Sequence, residues 1–352
     1  MNLKPVNVLI VDDSPIQQKL FAHICKDDPS IVISGIAGDG EQALALIASN
    51  RPDVILMDIL MPVMDGFEAT RRIMETDPIP IVICSGSTKP GEMDKTFMAL
   101  DAGAVAFVKK PVGPGHPQFQ EEMASIMRTL KETAGCKLVK RQRRRPAVVR
   151  RPSRVIQLPK SPGPPPGLVA VGASTGGPAA LLTILKNLPK EFPLPILGVQ
   201  HISSGFVRGL ADWLGSSTGF PVHVAEAGMK TAPGHVYLAP DDFHLGIRSD
   251  GTILLSRDPA ENGLRPAVSF LFRSVTDVCG DSAVGVLLTG MGADGAVELK
   301  RMKERGAVTI AQDEASSVVH GMPGEAIRMG AATHVLSPEG ISELLANLVQ
   351  RP

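Results

Sequence analysis

The chain has 352 residues, 43% apolar and 20% charged, which suits two or three folded domains and excludes a disordered composition. Its formal net charge is zero, so overall charge gives no pull toward nucleic acid or an anionic membrane. The four cysteines, Cys25, Cys84, Cys136 and Cys279, lie far apart without metal-type spacing, as expected in a reducing compartment without disulfides or zinc.

Residues 1–130 alternate short apolar runs with amphipathic stretches. The runs are VNVLIV (6–11), IVISGIA (31–37), DVILM (53–57), IPIVI (79–83) and AVAFV (104–108). Between the first two, Ser14 is a predicted N-cap and Pro15 suits a first helical position. Ile16, Leu20 and Ile24 then recur at spacing four and mark one buried face. β-Branched strands alternating with helices predict a parallel sheet covered on both sides, a (βα)5 unit.

The character changes over 131–165. Ten prolines lie between 111 and 166, and no acidic residue occurs from Thr133 to Lys190. KLVKRQRRRPAVVRRPSR (137–154) holds nine basic residues, including Arg143, Arg144 and Arg145. Proline stiffness and self-repulsion predict an extended linker. No aromatic residue interleaves to stack on bases, which favours a solvated run over a nucleic-acid reader.

The strand–helix rhythm resumes over 166–352. LVAVG (168–172), PILGVQ (195–200), HVYLA (235–239), AVGVLLT (283–289) and AVTIA (307–311) are predicted strands. TILLS (252–256) follows the turn-like SDGT and reads as one arm of a β-hairpin. The whole chain is thus expected to be α/β. It has two doubly wound domains, the second a mostly parallel sheet with a hairpin. No run reaches the roughly 18 apolar residues of a spanning helix. The first residues, MNLKPVNVLIVDDS, lack an apolar core followed by a cleavage site, so a cytoplasmic protein without membrane insertion is expected.

Ligands of open parallel sheets sit at the carboxyl ends of the strands. Those ends in the first domain carry Asp12 and Asp13, then Asp58, Ser85 and Lys110. Carboxylate oxygens suit Mg²⁺, and a lysine beside them can balance an added phosphoryl group. VDDSP, LMDILMPVMDG, CSGST and FVKKP together resemble the response-regulator receiver family over nearly all of 1–128. The resemblance implies that Asp58 accepts a phosphoryl group from a histidine kinase. It implies Mg²⁺ on Asp12, Asp13, Asp58 and the Leu60 backbone carbonyl. Ser85 and Lys110 would engage the phosphoryl group, Lys110 rather than Lys109 because it directly precedes Pro111. Phe107 occupies the aromatic switch position, where a plain core ring is the simpler alternative.

GASTGG (172–177) sits between a strand and a helix that opens on Pro178. It is a poor dinucleotide loop, because serine stands at position 174 where the second glycine should be. It does fit G-x-S-x-G, the turn of a nucleophilic serine, although a serine N-cap has the same appearance. Such a serine needs a base and the base an orienting carboxylate. Strand ends offer His201 and Asp294, but also Asp241, Asp242, His244 and Asp313, and periodicity does not choose among them.

The segments GASTGG, QHISSGF, VYLAPDDFHL, RPAVSFLFRSV, LLTGMGADG and QDEASSVVHGMPGEA, in that order, resemble the chemotaxis methylesterase family over 166–350. That resemblance implies Ser174 as nucleophile, His201 as base and Asp294 as its orienting partner, with Thr175 and Met291 backbone N–H groups as oxyanion donors. It implies hydrolysis of glutamate methyl esters on chemoreceptor cytoplasmic domains, and deamidation of receptor glutamines, without an esterase cofactor. Gly324 and Ser269 depart from the family's usual arginine and aspartate, and both positions are expected to line the substrate approach. A DNA-binding output and a catalytically silent scaffold are the rivals. The absence of a helix-turn-helix pattern opposes the first, and the intact Ser, His and Asp set opposes the second.

Overall fold

Each predicted apolar run except TILLS becomes a strand of a parallel sheet in the computed structural model, which describes residues 4–86, 90–136 and 166–350. The chain divides into two units, Met1–Ala147 and Val148–Pro352. The basic run 137–154 lies outside the described residues.

The first unit follows the order β1 (Val6–Val11), α1 (Pro15–Lys26), β2 (Ile31–Ala37), α2 (Gly40–Ser49) and β3 (Val54–Asp58). It continues through α3 (Gly66–Thr76), β4 (Ile81–Ser85), α4 (Pro90–Ala102), β5 (Ala106–Lys109) and α5 (Phe119–Ala134). Ser14 caps α1, its Oγ accepting from Gln17 N–H, and Pro15 opens the helix as expected. Asp39 and Asp65 cap α2 and α3 in the same way. The strands pair in the order β2-β1-β3-β4-β5, all parallel. The order reverses between β1 and β3, so a crevice opens where Asp12 and Asp58 leave the sheet. β3 and β4 are buried along their whole length, which is why they read as unbroken apolar runs. The helix α5 continues through Ala134, with Thr133 buried, so residues 131–134 are helical and not linker.

The second unit begins with β6 (Leu168–Ala173), α6 (Gly177–Asn187), β7 (Ile196–Gln200), α7 (Val207–Thr218), β8 (Val222–Val224) and β9 (Val236–Leu238). Next come β10 (His244–Ile247), β11 (Ile253–Ser256), α8 (Val268–Cys279), β12 (Ala283–Leu287) and α9 (Ala296–Glu304). It ends with β13 (Val308–Gln312), α10 (Met322–Arg328), β14 (His334–Leu336) and α11 (Pro338–Val349). Among the described residues, seven strands pair in parallel in the order β14-β13-β12-β6-β7-β9-β8. β10 and β11 form the expected hairpin as a separate antiparallel pair. The edge strands β8 and β14 escaped the sequence reading because each is three residues long and contains a histidine, leaving no apolar run to read. The core packs Leu271, Phe272 and Val275 of α8 and Leu299 of α9 against Leu168, Ala170 and Leu287 of the sheet. Burying side chains of the size of Leu271 and Phe272 stabilises by about 1.5–3 kcal/mol each relative to exposure. Strand order reverses between β6 and β12, which puts the loops after these two strands at the crevice.

Candidate active site

Ser174 leaves the end of β6, and Gly176 turns the chain into α6 with a left-handed φ of 81°. A Cβ at Gly176 would stand 2.7 Å from Val318 Cβ, so both the conformation and the space require glycine. Ala173 pairs with Gln200, which places Ser174 and His201 each one residue beyond a paired position on adjacent strands. Such strands run about 4.7–4.9 Å apart, so the two residues leave the sheet side by side. His201 N–H donates to Ala173 carbonyl at 2.9 Å and extends the ladder to the edge of the site.

Asp294 comes from the loop after β12, on the other side of β6. It is 6% exposed, and its carboxylate accepts from Val268 N–H at 2.7 Å and Ser269 N–H at 3.0 Å, at the start of α8. A helix N-terminus is a favourable place for a buried carboxylate. Burial pushes this carboxyl up, but His201 and Ser269 outweigh it and hold it below the ordinary value. His201 Nε2 lies 3.0 Å from Asp294 Oδ2, within pairing distance but off the axis of a well-aligned hydrogen bond. Alignments of this kind tighten when substrate binds.

The other sequence candidates are committed elsewhere. His244 is fully buried, stacked on Phe270 at 4.7 Å. Its Nδ1 accepts from Ala267 N–H at 3.2 Å, and Nε2–H donates to Pro259 carbonyl at 3.2 Å, so neither nitrogen is free to act as a base. Asp241 accepts from Gly205 N–H at 2.7 Å, and Asp242 lies 3.9 Å from Arg265. Asp313 caps its own turn, accepting from Ser316 N–H at 2.9 Å and Ser316 Oγ–H at 2.5 Å.

Several residues at this site carried no sequence signal strong enough to single them out. Gln200 and Gln312 end β7 and β13 with buried amides, and a polar residue closing an apolar run was the available clue. Gln312 Oε1 accepts from Thr289 N–H at 2.8 Å. Thr289 Oγ1 donates to Thr175 carbonyl at 2.9 Å, joining the two crevice loops. Ser269 does not line an approach as expected. It is buried, and its Oγ accepts from Gly295 N–H at 3.0 Å, next to Asp294. At Gly324 a Cβ would meet the His320 ring at 2.9 Å, so the missing side chain makes room for that imidazole. Met291 is 49% exposed.

In the first unit Asp12, Asp13 and Asp58 each offer a carboxylate oxygen, all within 4.8 Å of one another. Lys110 Nζ lies 2.9 Å from Asp12 Oδ2 and 2.6 Å from Asp58 Oδ2. Lys109 instead pairs with Glu122 at 3.2 Å, which separates the two adjacent lysines. Burial and the Asp12 charge push the Asp58 carboxyl up, against the pull of Lys110. Asp58 Oδ1 also accepts from Ile59 N–H at 2.7 Å. Hard oxygen donors this close, two of them on buried side chains, fit a small divalent cation such as Mg²⁺. Leu60 lies two residues beyond Asp58, and its carbonyl accepts no hydrogen bond among the described residues. Ser85 is buried at the end of β4, and Phe107 is a core ring set edge-on to Phe97 at 5.5 Å.

The sheet-end sites of the two units define a receiver domain joined to a hydrolase domain. Residues 8–117 match the response regulator receiver domain, and residues 169–345 match the CheB methylesterase family. The chain belongs to the CheB methylesterase family. It is 50% identical over 346 residues to the protein-glutamate methylesterase/protein-glutamine glutaminase 4 of Geobacter metallireducens, covering 97% of this chain and 99% of that protein. It is 49% identical over 348 residues to the protein-glutamate methylesterase/protein-glutamine glutaminase of Nitrosospira multiformis, covering 98% and 97%. The crystal structure of the Thermotoga maritima CheB methylesterase catalytic domain superposes with a TM-score of 0.51 at 41% identity, covering 52% of this chain and 99% of that one. Among the described residues no helix is long and apolar enough to cross a membrane.

Proposed function

We propose that this chain is a phosphorylation-regulated, cytoplasmic protein-glutamate methylesterase and glutaminase. It acts on the cytoplasmic domains of chemoreceptors, with residues 1–134 as receiver, 135–165 as connecting segment and 166–352 as catalytic domain. The observation that carries this reading is Asp294, held by two α8 N–H groups and set 3.0 Å from His201, which leaves the sheet beside Ser174. Ser174 Oγ attacks the ester carbon as its proton passes to His201. With Nε2 facing Asp294, Nδ1 is the nitrogen that takes this proton. Asp294 stays ionised and stabilises the imidazolium. Thr175 and Met291 N–H groups stabilise the tetrahedral oxyanion. His201 returns the proton to the departing methoxide, methanol leaves, and water hydrolyses the acyl-enzyme by the same route. An amide substrate releases ammonia in place of methanol.

In the receiver, Asp58 takes the phosphoryl group from a histidine kinase of the chemosensory array. Asp12, Asp13, Asp58 and the Leu60 carbonyl would hold Mg²⁺, which when bound neutralises phosphoryl charge. Ser85 and Lys110 contact the added oxygens, and Phe107 reports the change to the receiver surface. The test is Ser174→Ala in the full chain. Ester hydrolysis should fall by roughly 10⁴-fold or more, because the three residues act as a unit. A folded variant within about tenfold of the unaltered protein would make Ser174 a helix-turn residue only.

A further inference from the structure

We infer that Gln200 is a positioning residue that fixes the peptide group between Ser174 and Thr175, and with it the direction of the Thr175 N–H. The inference rests on the proposed role of that N–H as an oxyanion donor. Gln200 is 5% exposed and closes β7. Its Nε2 donates to Ser174 carbonyl at 2.8 Å and to His201 carbonyl at 2.9 Å. One buried amide therefore ties together the backbones of the nucleophile and the base.

Ser174 carbonyl accepts a second hydrogen bond, from Gly177 N–H at 2.8 Å. A trans peptide is planar, so its C=O and the following N–H point in opposite directions. Two donors on Ser174 carbonyl therefore hold the Thr175 N–H aimed away from them. Among the described residues that N–H donates no hydrogen bond of its own. The second crevice loop repeats the device. Gly290 carbonyl accepts from Gly321 N–H at 3.0 Å and Met322 N–H at 2.8 Å, and the Met291 N–H of the same peptide donates none among the described residues. Both proposed oxyanion donors thus belong to peptide groups whose carbonyls are held twice. The Met291 clamp is all backbone. The Thr175 clamp depends on one side chain.

The orientation of that side chain is fixed by its surroundings. With two carbonyls facing it, the Gln200 terminus must present its NH₂, since the opposite placement would set three oxygens together. Its Oε1 is left buried without a partner. Oε1 also occupies the space a side chain at residue 177 would need, since a Cβ there would fall 2.1 Å away. A leucine or methionine of similar length would fill this site without an orphaned oxygen. The amide costs stability, and its return is the aim of one N–H.

The experiment compares the full chain with Gln200→Met and Ser174→Ala on a methyl-esterified receptor peptide. It also measures inhibition by a peptide trifluoromethyl ketone, which forms an oxyanion on a serine. In Gln200→Met, kcat should fall about 10- to 100-fold, less than for outright deletion of an oxyanion donor, with little change in KM. Affinity for the ketone should fall by the same factor. Lost folding alone would lower kcat but leave the ketone affinity of the active fraction unchanged, and that result overturns the inference. So does an unchanged kcat in folded Gln200→Met. Should Gln200→Met not fold, Gly177→Ala displaces the same amide and must show the same paired losses. An inactive Ser174→Ala beside a fully active Gln200→Met rejects the positioning role alone. An active Ser174→Ala rejects the nucleophile and the inference with it.

Discussion

A methyl group added at Gly290 would stand 2.6 Å from Ser174 Cβ and 2.5 Å from Met322 Sδ. Carbon atoms in contact settle about 3.5–4.0 Å apart, so Gly290→Ala demands a displacement of roughly 1 Å. Met322 can swing its sulfur aside, but the same methyl also meets Ser174 backbone nitrogen at 3.2 Å. Gly290 cannot easily retreat. Its N–H donates to Val319 carbonyl at 3.0 Å, and its own carbonyl is held by Gly321 and Met322. The shift therefore falls on Ser174. A misplacement of about 1 Å near the reacting atoms can cost on the order of 100-fold in rate. Overpacking should also destabilise by about 1–3 kcal/mol. Steady-state hydrolysis of a methyl-ester peptide, read beside a thermal melt, measures both. Gly167→Ala is the control, since a methyl there meets nothing nearer than 3.8 Å. Folded Gly290→Ala with turnover within about threefold of the unaltered protein would refute the claim that misplacing Ser174 by this distance matters.

Asp294→Asn should lower turnover by about 10³- to 10⁴-fold through loss of tautomer control, while Asp313→Asn stays mild. The reverse ranking would transfer the role to Asp313. Because His201 and Ser269 depress the folded Asp294 pKa, its contribution to stability is full above the unfolded value of about 3.9 and disappears as pH falls through the folded one. Acid unfolding of Asp294→Asn should accordingly be shallower than that of the unaltered protein. Unphosphorylated full chain should turn over more slowly than residues 166–352 alone, and a small phosphodonor with Mg²⁺ should speed it unless Asp58 is changed to Asn. Equal rates for fragment and full chain would end simple autoinhibition. Burial pushes the Cys25 and Cys136 thiols up to about 11 and raises Cys84 further. These thiols should therefore react slowly with a disulfide reagent at neutral pH and promptly in denaturant. Rapid labelling of Cys84 in the native protein would contradict its burial.

The strand–helix rhythm, both parallel sheets and the residues at their strand ends were legible in the amino-acid order. Buried parallel strands read as continuous apolar runs, and ligand sites of such sheets lie beyond the strands' carboxyl ends. Asp12, Asp13 and Asp58 stood out as a set for that reason, whereas Ser174 kept an N-cap alternative and His201 stood level with His244 until the resemblance chose between them. Composition and spacing left Asp294 level with Asp241, Asp242 and Asp313, because all four follow strands. Resemblance selected Asp294. In the tertiary structure, strand order sets the β12 loop beside β6, and two N–H groups at the start of α8 donate to Asp294. Tertiary structure also made His244 a core residue, turned Ser269 inward to Gly295 and revealed the Gln200 clamp. These depend on hydrogen bonds between segments 25 or more residues apart or on burial against distant helices, and no local pattern encodes either. The short edge strands β8 and β14 were missed for a related reason. Three residues acquire a strand conformation from the neighbour they pair with.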